Sequence, residues 1–184
     1  MDYHMISGYG ILTLVIFRVI WGLIGSTHSR FRSFVNLSEL IPHTRRLLKR
    51  DQAKIAGHNP LGALSIIAML LVLGTQATTG LFANDDIFLE GPLVHLVDDA
   101  TSDRLTTVHH FCAKALYVLI GLHLAAIIFH EIYKRERLVL PMISGYKKGL
   151  PASVDKPSFR REYVTASGLL ATCAGFVYWL VKYL

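Results

Sequence analysis

Four histidines lie within one apolar stretch of the sequence, at His109, His110, His123 and His130. Ionisable side chains are costly at membrane depth, and where they occur they usually mark a functional site. A neutral imidazole nitrogen is a good ligand for haem iron, so the stretch predicts haem ligands. The alternative is that these histidines form hydrogen bonds between the helices of a bundle.

The spacing of the histidines divides them into two groups. His109 and His123 are 14 residues apart, which on an α-helix is about 21 Å along the axis and about 40° short of four turns. They therefore share one face at two depths, and this spacing would stack two haems across a membrane. His130 continues that face, whereas His110 points about 100° away. We interpret His110 and His130 as residues of the helix ends rather than ligands.

A haem between two histidines needs its second ligand from another helix. His4 stands at the outer end of another apolar segment, and Gly8, one turn later, leaves room for a porphyrin edge. Arg18 falls at the depth of His123, where a guanidinium could pair with a propionate of an inner haem. Lys114 either extends outward to water or neutralises a propionate of the outer haem.

The inner haem has no evident second ligand. His58, in "GHNPLG", is the nearest candidate, but it lies too close to the cytoplasmic surface. The favoured interpretation is that it caps the start of the second span, and the alternatives are a propionate contact, an alternative haem ligand or a quinone contact. A ligand from a further helix would fit better. Gln76 and the threonines around it, Thr75, Thr78 and Thr79, are expected to link helices by hydrogen bonds.

The elements that must position these residues are four apolar segments, at about 4 to 25, 60 to 82, 107 to 131 and 163 to 183. Each is long enough, at roughly 20 residues, to cross a hydrocarbon core as a helix. The chain is 52% hydrophobic and 17% charged, with a mean hydropathy of +0.42. We therefore predict an all-α integral membrane bundle of four transmembrane helices, forming a single domain over residues 1–184.

Charge is unevenly distributed among the loops. Residues 26–58 carry seven Lys or Arg and two acids, residues 132–162 carry eight and three, and residues 83–104 carry six acids and one Arg. By the positive-inside rule the two basic loops are cytoplasmic, so both termini are predicted to face the periplasm across a bacterial inner membrane. This topology accounts for the net charge of +6, and we expect no binding to nucleic acid.

Several stretches of the chain carry a family resemblance: "HMISGYGILTLVIFRVIWGLIGS", "GHNPLGALSIIAMLLVLGTQATTGLFANDD" and "HHFCAKALYVLIGLH". Over essentially its whole length the sequence resembles the bacterial cytochrome b561 and nickel-iron hydrogenase b-type cytochrome family of quinone-linked membrane haem proteins. At the matching positions, the resemblance implies that His4 and His109 bind the outer haem b and that His123 binds an inner one.

The sequence departs from the family pattern at its start. The family's usual first helix, with an F-H-W histidine that completes the inner haem, has no counterpart here. A truncated start codon, a split gene and a true loss would each explain this. A partner subunit or a second copy of the chain could then supply the helix. One haem b is expected, and a second stays open.

The expected function is respiratory electron transfer between the quinone pool and a periplasmic redox partner, as a carrier or as an electron-transfer subunit of an oxidoreductase. The acidic loop 85–103 would suit a basic partner such as a c-type cytochrome. The alternatives are a superoxide- or quinone-reactive oxidoreductase, a b-type cytochrome subunit of a hydrogenase-like complex, and a haem-free membrane scaffold. The acidic loop counts against superoxide, because it repels an anion.

Overall fold

The computed structural model describes residues 2–26, 29–34, 60–85, 89–135, 138–140 and 159–184. These residues are almost entirely helical, and apart from one isolated bridge between Asn84 and Glu90 they contain no β-structure. The predicted all-α class is therefore confirmed. The helices are α1 (Asp2–Ile24), the short α2 (Phe31–Phe34), α3 (Pro60–Gly80), α4 (Asp99–Ile128) and α5 (Phe159–Tyr183). A 3₁₀ turn (Val94–Leu96) precedes α4, and a π-helical turn (Phe129–Tyr133) extends it.

Four of these helices are long and apolar enough to cross a membrane: Asp2–Ile24, Leu61–Gly80, Asp99–Tyr133 and Arg161–Tyr183. Large apolar side chains project outward from them, including Leu71, which is 67% exposed, and Leu122, which is 63% exposed. Such a surface is unfavourable in water but matches the lipid-facing side of a transmembrane helix. The prediction of four spans is therefore confirmed.

The structure corrects the start of the third span, which was predicted near residue 107 and begins at Asp99. The carboxylate of Asp98 accepts a hydrogen bond of 2.8 Å from the Thr101 amide and so caps the first turn. Asp99 in that turn favours the positive end of the helix dipole. Hydropathy identifies only the apolar part of a helix, whereas the capping residue determines where the helix begins. For the same reason α5 begins earlier than the predicted residue 163.

The spans pack in the order α5, α1, α3, α4, each mainly against the next. Among the described helices, α1 and α4 are not a pair that packs extensively, so α3 lies between them. A small apolar core joins α1, α5 and the start of the α3–α4 connection, where Leu12, Leu81, Leu93 and Val177 are buried.

The connection between α3 and α4 fixes one end of the bundle. This is the end that the charge pattern predicts to face outward, and we name it the outer end. Ser102 of α4 is 1% exposed and donates to the carbonyl oxygen of Phe82 at 2.8 Å. The amide of Asn84 donates to Thr106 Oγ1 at 3.0 Å. A side chain at Gly91 would collide with the backbone of Leu81. These contacts set the register of α4 against α3, and so decide which residues of α3 the histidines of α4 meet.

Candidate functional site

His4 and His109 meet at the outer end of the bundle. Their ring centroids are 6.1 Å apart and the ring planes are inclined at 78°. His4 lies in the first turn of α1, and His109 lies about three turns into α4. Two metal–imidazole bonds of about 2 Å, plus the distance from each nitrogen to its ring centre, need a centroid separation of about 6 Å. The structure therefore brings the two predicted outer ligands to the separation that one shared iron requires.

Helix α3 holds the ring of His109 in place. Its Nδ1 lies 2.8 Å from the backbone carbonyl oxygen of Gln76 and 3.4 Å from Thr79 Oγ1. The ring lies so close to Gly80 that a Cβ added there would be 2.8 Å from His109 Cε1. An Nδ1–H that donates to a carbonyl leaves the lone pair on Nε2, as in many metal-bound histidines. The glycine and the carbonyl together fix the orientation of the ring and leave Nε2 as the nitrogen that could ligate a metal.

The side chain of Gln76 makes a second contact with the same ring. Its Nε2 lies 2.9 Å from Nε2 of His109, so the prediction that Gln76 links two helices is confirmed. Its Oε1 is buried and has no hydrogen-bond partner in the described part of the chain. The sequence did not indicate that this amide would meet His109. The available signal was a lone amide side chain in an apolar segment, one turn before its terminal glycine.

The residues of this outer site fit a haem better than a free metal ion. No group of three or more His, Cys, Asp or Glu that could hold a metal ion occurs among the described residues, whereas a bound zinc ion takes at least three protein ligands. Two facing imidazoles match the two axial positions of haem iron. A Cβ added at Gly8, near His4, would meet open space, and the orphan Gln76 Oε1 leaves an acceptor beside the pair.

The inner half of α4 is less constrained. His123 is half-buried, and its Nδ1 lies 3.4 Å from Ser65 Oγ on α3. Within the described residues no other histidine ring contacts it. His58, the predicted candidate for a second inner ligand or contact, lies outside the described residues. The structure therefore places His123 between α3 and α4 without a second ligand.

Arg18, predicted as a propionate partner of an inner haem, contacts the segment that follows α1. Its Nη1 donates to the carbonyl oxygen of Ser29 at 3.3 Å, and its guanidinium lies 4.9 Å from the centre of the Phe31 ring. Phe31 in turn packs against Gly22 of α1. These contacts position the guanidinium near the inner end of α1, and its role towards a propionate stays a prediction.

The other polar residues of α4 differ in exposure. Lys114 and His110 are exposed, although the His110 ring lies 6.3 Å from that of His109. His130 is 6% exposed and its ring lies 5.8 Å from Phe129 in the π-helical turn. Of the four histidines in this stretch, only His109 is thus brought to a histidine of another helix among the described residues. A propionate role for Lys114 stays a prediction.

Comparison with known proteins identifies the family that the chain is similar to. The family model for prokaryotic cytochrome b561 matches residues 1–145. The chain is 26% identical over 166 residues to a protein of Azotobacter vinelandii, covering 78% of this chain and 66% of the relative. It is 28% identical over 163 residues to one of Rhizobium leguminosarum bv. viciae, covering 77% and 66%.

A third relative, from Bradyrhizobium diazoefficiens, is 24% identical over 164 residues, covering 79% of this chain and 65% of the relative. All three are named as probable Ni/Fe-hydrogenase B-type cytochrome subunits. The chain thus spans slightly less than two thirds of their length. No solved structure matches the chain. With four membrane-crossing helices and a family match over most of its length, the chain is an integral membrane protein that belongs to the prokaryotic cytochrome b561 family.

Proposed function

We propose that the protein is a membrane-embedded b-type cytochrome that transfers electrons between the quinone pool and a periplasmic redox partner. The observation that carries this proposal is the His4–His109 pair, with ring centroids 6.1 Å apart on two different helices. Family membership supports it, because the cytochrome b561 family implies a b-type haem. The four spans would lie in the lipid bilayer and contact its acyl chains.

When bound, haem b supplies one-electron chemistry at iron. His4 and His109 would hold the haem as two protein ligands, and the haem would then exchange electrons rather than bind a substrate at its iron. This favours an electron carrier over an oxidoreductase that binds superoxide at the iron. The Gln76 carbonyl, 2.8 Å from His109 Nδ1, accepts a hydrogen bond from the ring N–H and so increases the electron-donating strength of the imidazole. Helix α3 thereby sets both the orientation and the donor strength of one ligand.

The surface beside the outer site suggests the kind of redox partner. The described acidic residues at this end are all exposed: Asp85, Glu90, Asp98, Asp99 and Asp103. By the positive-inside rule this end of the bundle faces the periplasm, as do both termini. A small basic redox protein such as a c-type cytochrome would be attracted to such a surface and would arrive close to the outer haem.

A second candidate function is that of a b-type cytochrome subunit in a hydrogenase-like complex. The names of the three relatives favour it. In that case the electron donor would be an enzyme subunit bound to the protein, rather than a diffusing carrier. Copurification of a redox enzyme from mildly solubilised membranes would favour this candidate over the soluble partner.

An inner haem would complete a path across the membrane. His123 is the proposed ligand from α4, with Arg18 and Lys114 as propionate partners of the inner and outer haem respectively. The second inner ligand would come from His58 or from a helix of a partner subunit or second copy of the chain. Two haems separated by the about 21 Å between His109 and His123 along the helix would allow electrons to pass between quinone and the outer surface.

The test is spectroscopic and kinetic, on the purified protein in lipid nanodiscs. We expect a reduced-minus-oxidised spectrum of a low-spin b haem, at least one haem per chain, reduction by a quinol analogue, and oxidation by a basic cytochrome c that slows as salt is added. A protein without a haem spectrum would overturn the proposal and favour a haem-free scaffold. Haem reduction without salt-dependent oxidation would leave the cytochrome assignment intact and eliminate the c-type partner.

A further inference from the structure

We propose that Gln76 is a positioning residue of the outer site, whose side-chain amide competes with the haem iron for one lone pair of His109. The inference rests on the proposed function, because it takes His109 as an iron ligand. It concerns a residue of α3 that is not itself a ligand. It predicts that the protein holds its outer haem less tightly than its two histidines alone would allow.

The protonation of His109 follows from its neighbours. A backbone carbonyl can only accept, and the Gln76 carbonyl oxygen lies 2.8 Å from Nδ1, so Nδ1 carries the proton. A neutral imidazole then has its lone pair on Nε2. The group 2.9 Å from that atom is the Gln76 side-chain nitrogen, whose N–H donates to the lone pair. The backbone and side chain of one glutamine thus bind both nitrogens of the same ring.

The lone pair on Nε2 cannot serve the amide and the iron together. A haem iron held by His109 would use the same Nε2 lone pair that now accepts from the amide nitrogen 2.9 Å away. The amide must therefore turn away when iron binds, while the backbone carbonyl keeps its bond to Nδ1. The tautomer and orientation of the ring are retained, and only the partner of Nε2 changes.

The other end of the amide offers an independent sign that this side chain is poised to move. Gln76 Oε1 is buried without a hydrogen-bond partner among the described residues, and buried polar groups are rarely left in that condition. No second hydrogen bond therefore opposes the rotation. The amide contacts Nε2 through one hydrogen bond, so binding of a metal ion at Nε2 would require only that bond to break.

The experiment measures how haem distributes at equilibrium between the purified holoprotein and a fixed amount of apomyoglobin. Gln76→Leu has a side chain of similar size that cannot donate, so we expect roughly two- to tenfold stronger haem retention, the range of one net hydrogen bond. Thr75→Val is the matched control on the same helix, because Thr75 is exposed and its hydroxyl donates to the Leu71 carbonyl of its own helix. Its retention should equal that of the unaltered protein.

Gln76→Asn provides a second variant in case the leucine disturbs folding, since it keeps an amide but shortens its reach to Nε2. Retention should rise here too, and the electron paramagnetic resonance signal of a two-histidine low-spin haem should persist in both variants. Equal or weaker retention with that signal intact would overturn the inference, because a merely structural glutamine loosens the site when lost. Absence of the signal from the unaltered protein would instead overturn the proposed function.

Discussion

Helix α4 presents a histidine to α3 at two depths, but α3 holds the two rings very differently. His109 is bound at both nitrogens by Gln76, lies against Gly80 and faces His4. Among the described residues, the ring of His123 has a single hydrogen-bonding neighbour, the hydroxyl of Ser65 at 3.4 Å. A ligand site works only when neighbouring groups fix its rotamers. The outer end is thus preorganised by the described residues, and the inner end is not.

The contacts that hold the outer end come from the connection between α3 and α4. At the outer end, residues 81–98 bind both the end of α3 and the first turns of α4, through bonds such as Ser102 to Phe82 and Asn84 to Thr106. At the inner end, residues 35–59 and 141–158 lie outside the described residues.

The most severe test of the comparison is removal of an outer ligand. We expect His109→Ala to lose the outer haem completely, which is one haem per chain, because no other described side chain faces His4 in its place. His4→Ala should have the same effect. The measurement is the haem content per chain together with the low-spin signal of the oxidised protein.

The neighbouring histidine supplies the matched control for this test. His110→Ala alters an exposed ring of the same helix that lies 6.3 Å from His109, and it should keep the full haem content. If His110→Ala lost the haem while His109→Ala kept it, the assignment of the outer ligand would be wrong.

A smaller effect is expected from a substitution that crowds the ring of His109 without removing it. Gly80→Ala would place a Cβ 2.8 Å from His109 Cε1, so the ring must shift from the position in which it faces His4. Crowding of this kind costs about 1–3 kcal/mol, and here the cost should appear as lower haem occupancy rather than as unfolding, since the ring itself can move.

Gly74→Ala tests the specificity of that effect on the same helix. An added Cβ there would meet Val15 Cγ1 at 3.6 Å, which is ordinary contact, so haem occupancy should not change. Occupancy can be followed by the ratio of haem to protein absorbance. Equal occupancy in the two alanine variants would show that the close approach of α3 does not hold His109.

The sequence predicted the fold better than it predicted the neighbours of the site. The lengths of the apolar segments predicted the four spans, and the 14-residue spacing predicted that His109 and His123 share one face. Both predictions depend only on local helix geometry. The proximity of His4 to His109 also followed from its depth. The contact of Gln76 with His109 did not, since it depends on the register between α3 and α4, which the connection between them sets.

The inner site shows the same limit of prediction from sequence. Charge type and depth suggested a propionate role for Arg18, which stays a prediction, and they did not indicate that its guanidinium would also contact Ser29 and Phe31. Sequence spacing measures distance along one helix, and it gives no information on how far a long side chain turns towards a neighbouring loop. Residues whose role depends on a flexible reach are therefore the hardest to assign from sequence.

Removal of the inner histidine should leave the outer site unchanged. We expect His123→Ala to keep the low-spin signal and midpoint potential of the outer haem, because the two histidines are separated by about 21 Å along the helix. A lower haem count in this variant would assign the missing haem to His123. Loss of the outer signal would contradict the independence of the two ends.

The smallest expected effect concerns the cap that begins α4 at the outer end. The amide of Thr101 donates to the Asp98 carboxylate at 2.8 Å, and this bond lowers the pKa of Asp98 below its ordinary value. Because the folded-state pKa is the lower one, the carboxylate stabilises the fold at pH values above the unfolded-state pKa. That contribution is lost as the pH falls through the folded-state pKa, in a window below about pH 4.

Asp98→Ala should therefore lower the melting temperature slightly at neutral pH, and its difference from the unaltered protein should shrink as the pH falls below about 4. The outer haem signal should persist, since Ser102 and Thr106 still hold α4 against residues 82–84. Asp103→Ala, which removes another exposed acid of the same helix, is the control for charge alone. A loss of haem in Asp98→Ala would mean that the cap, rather than the contacts of the connection, sets the depth of His109 against α3.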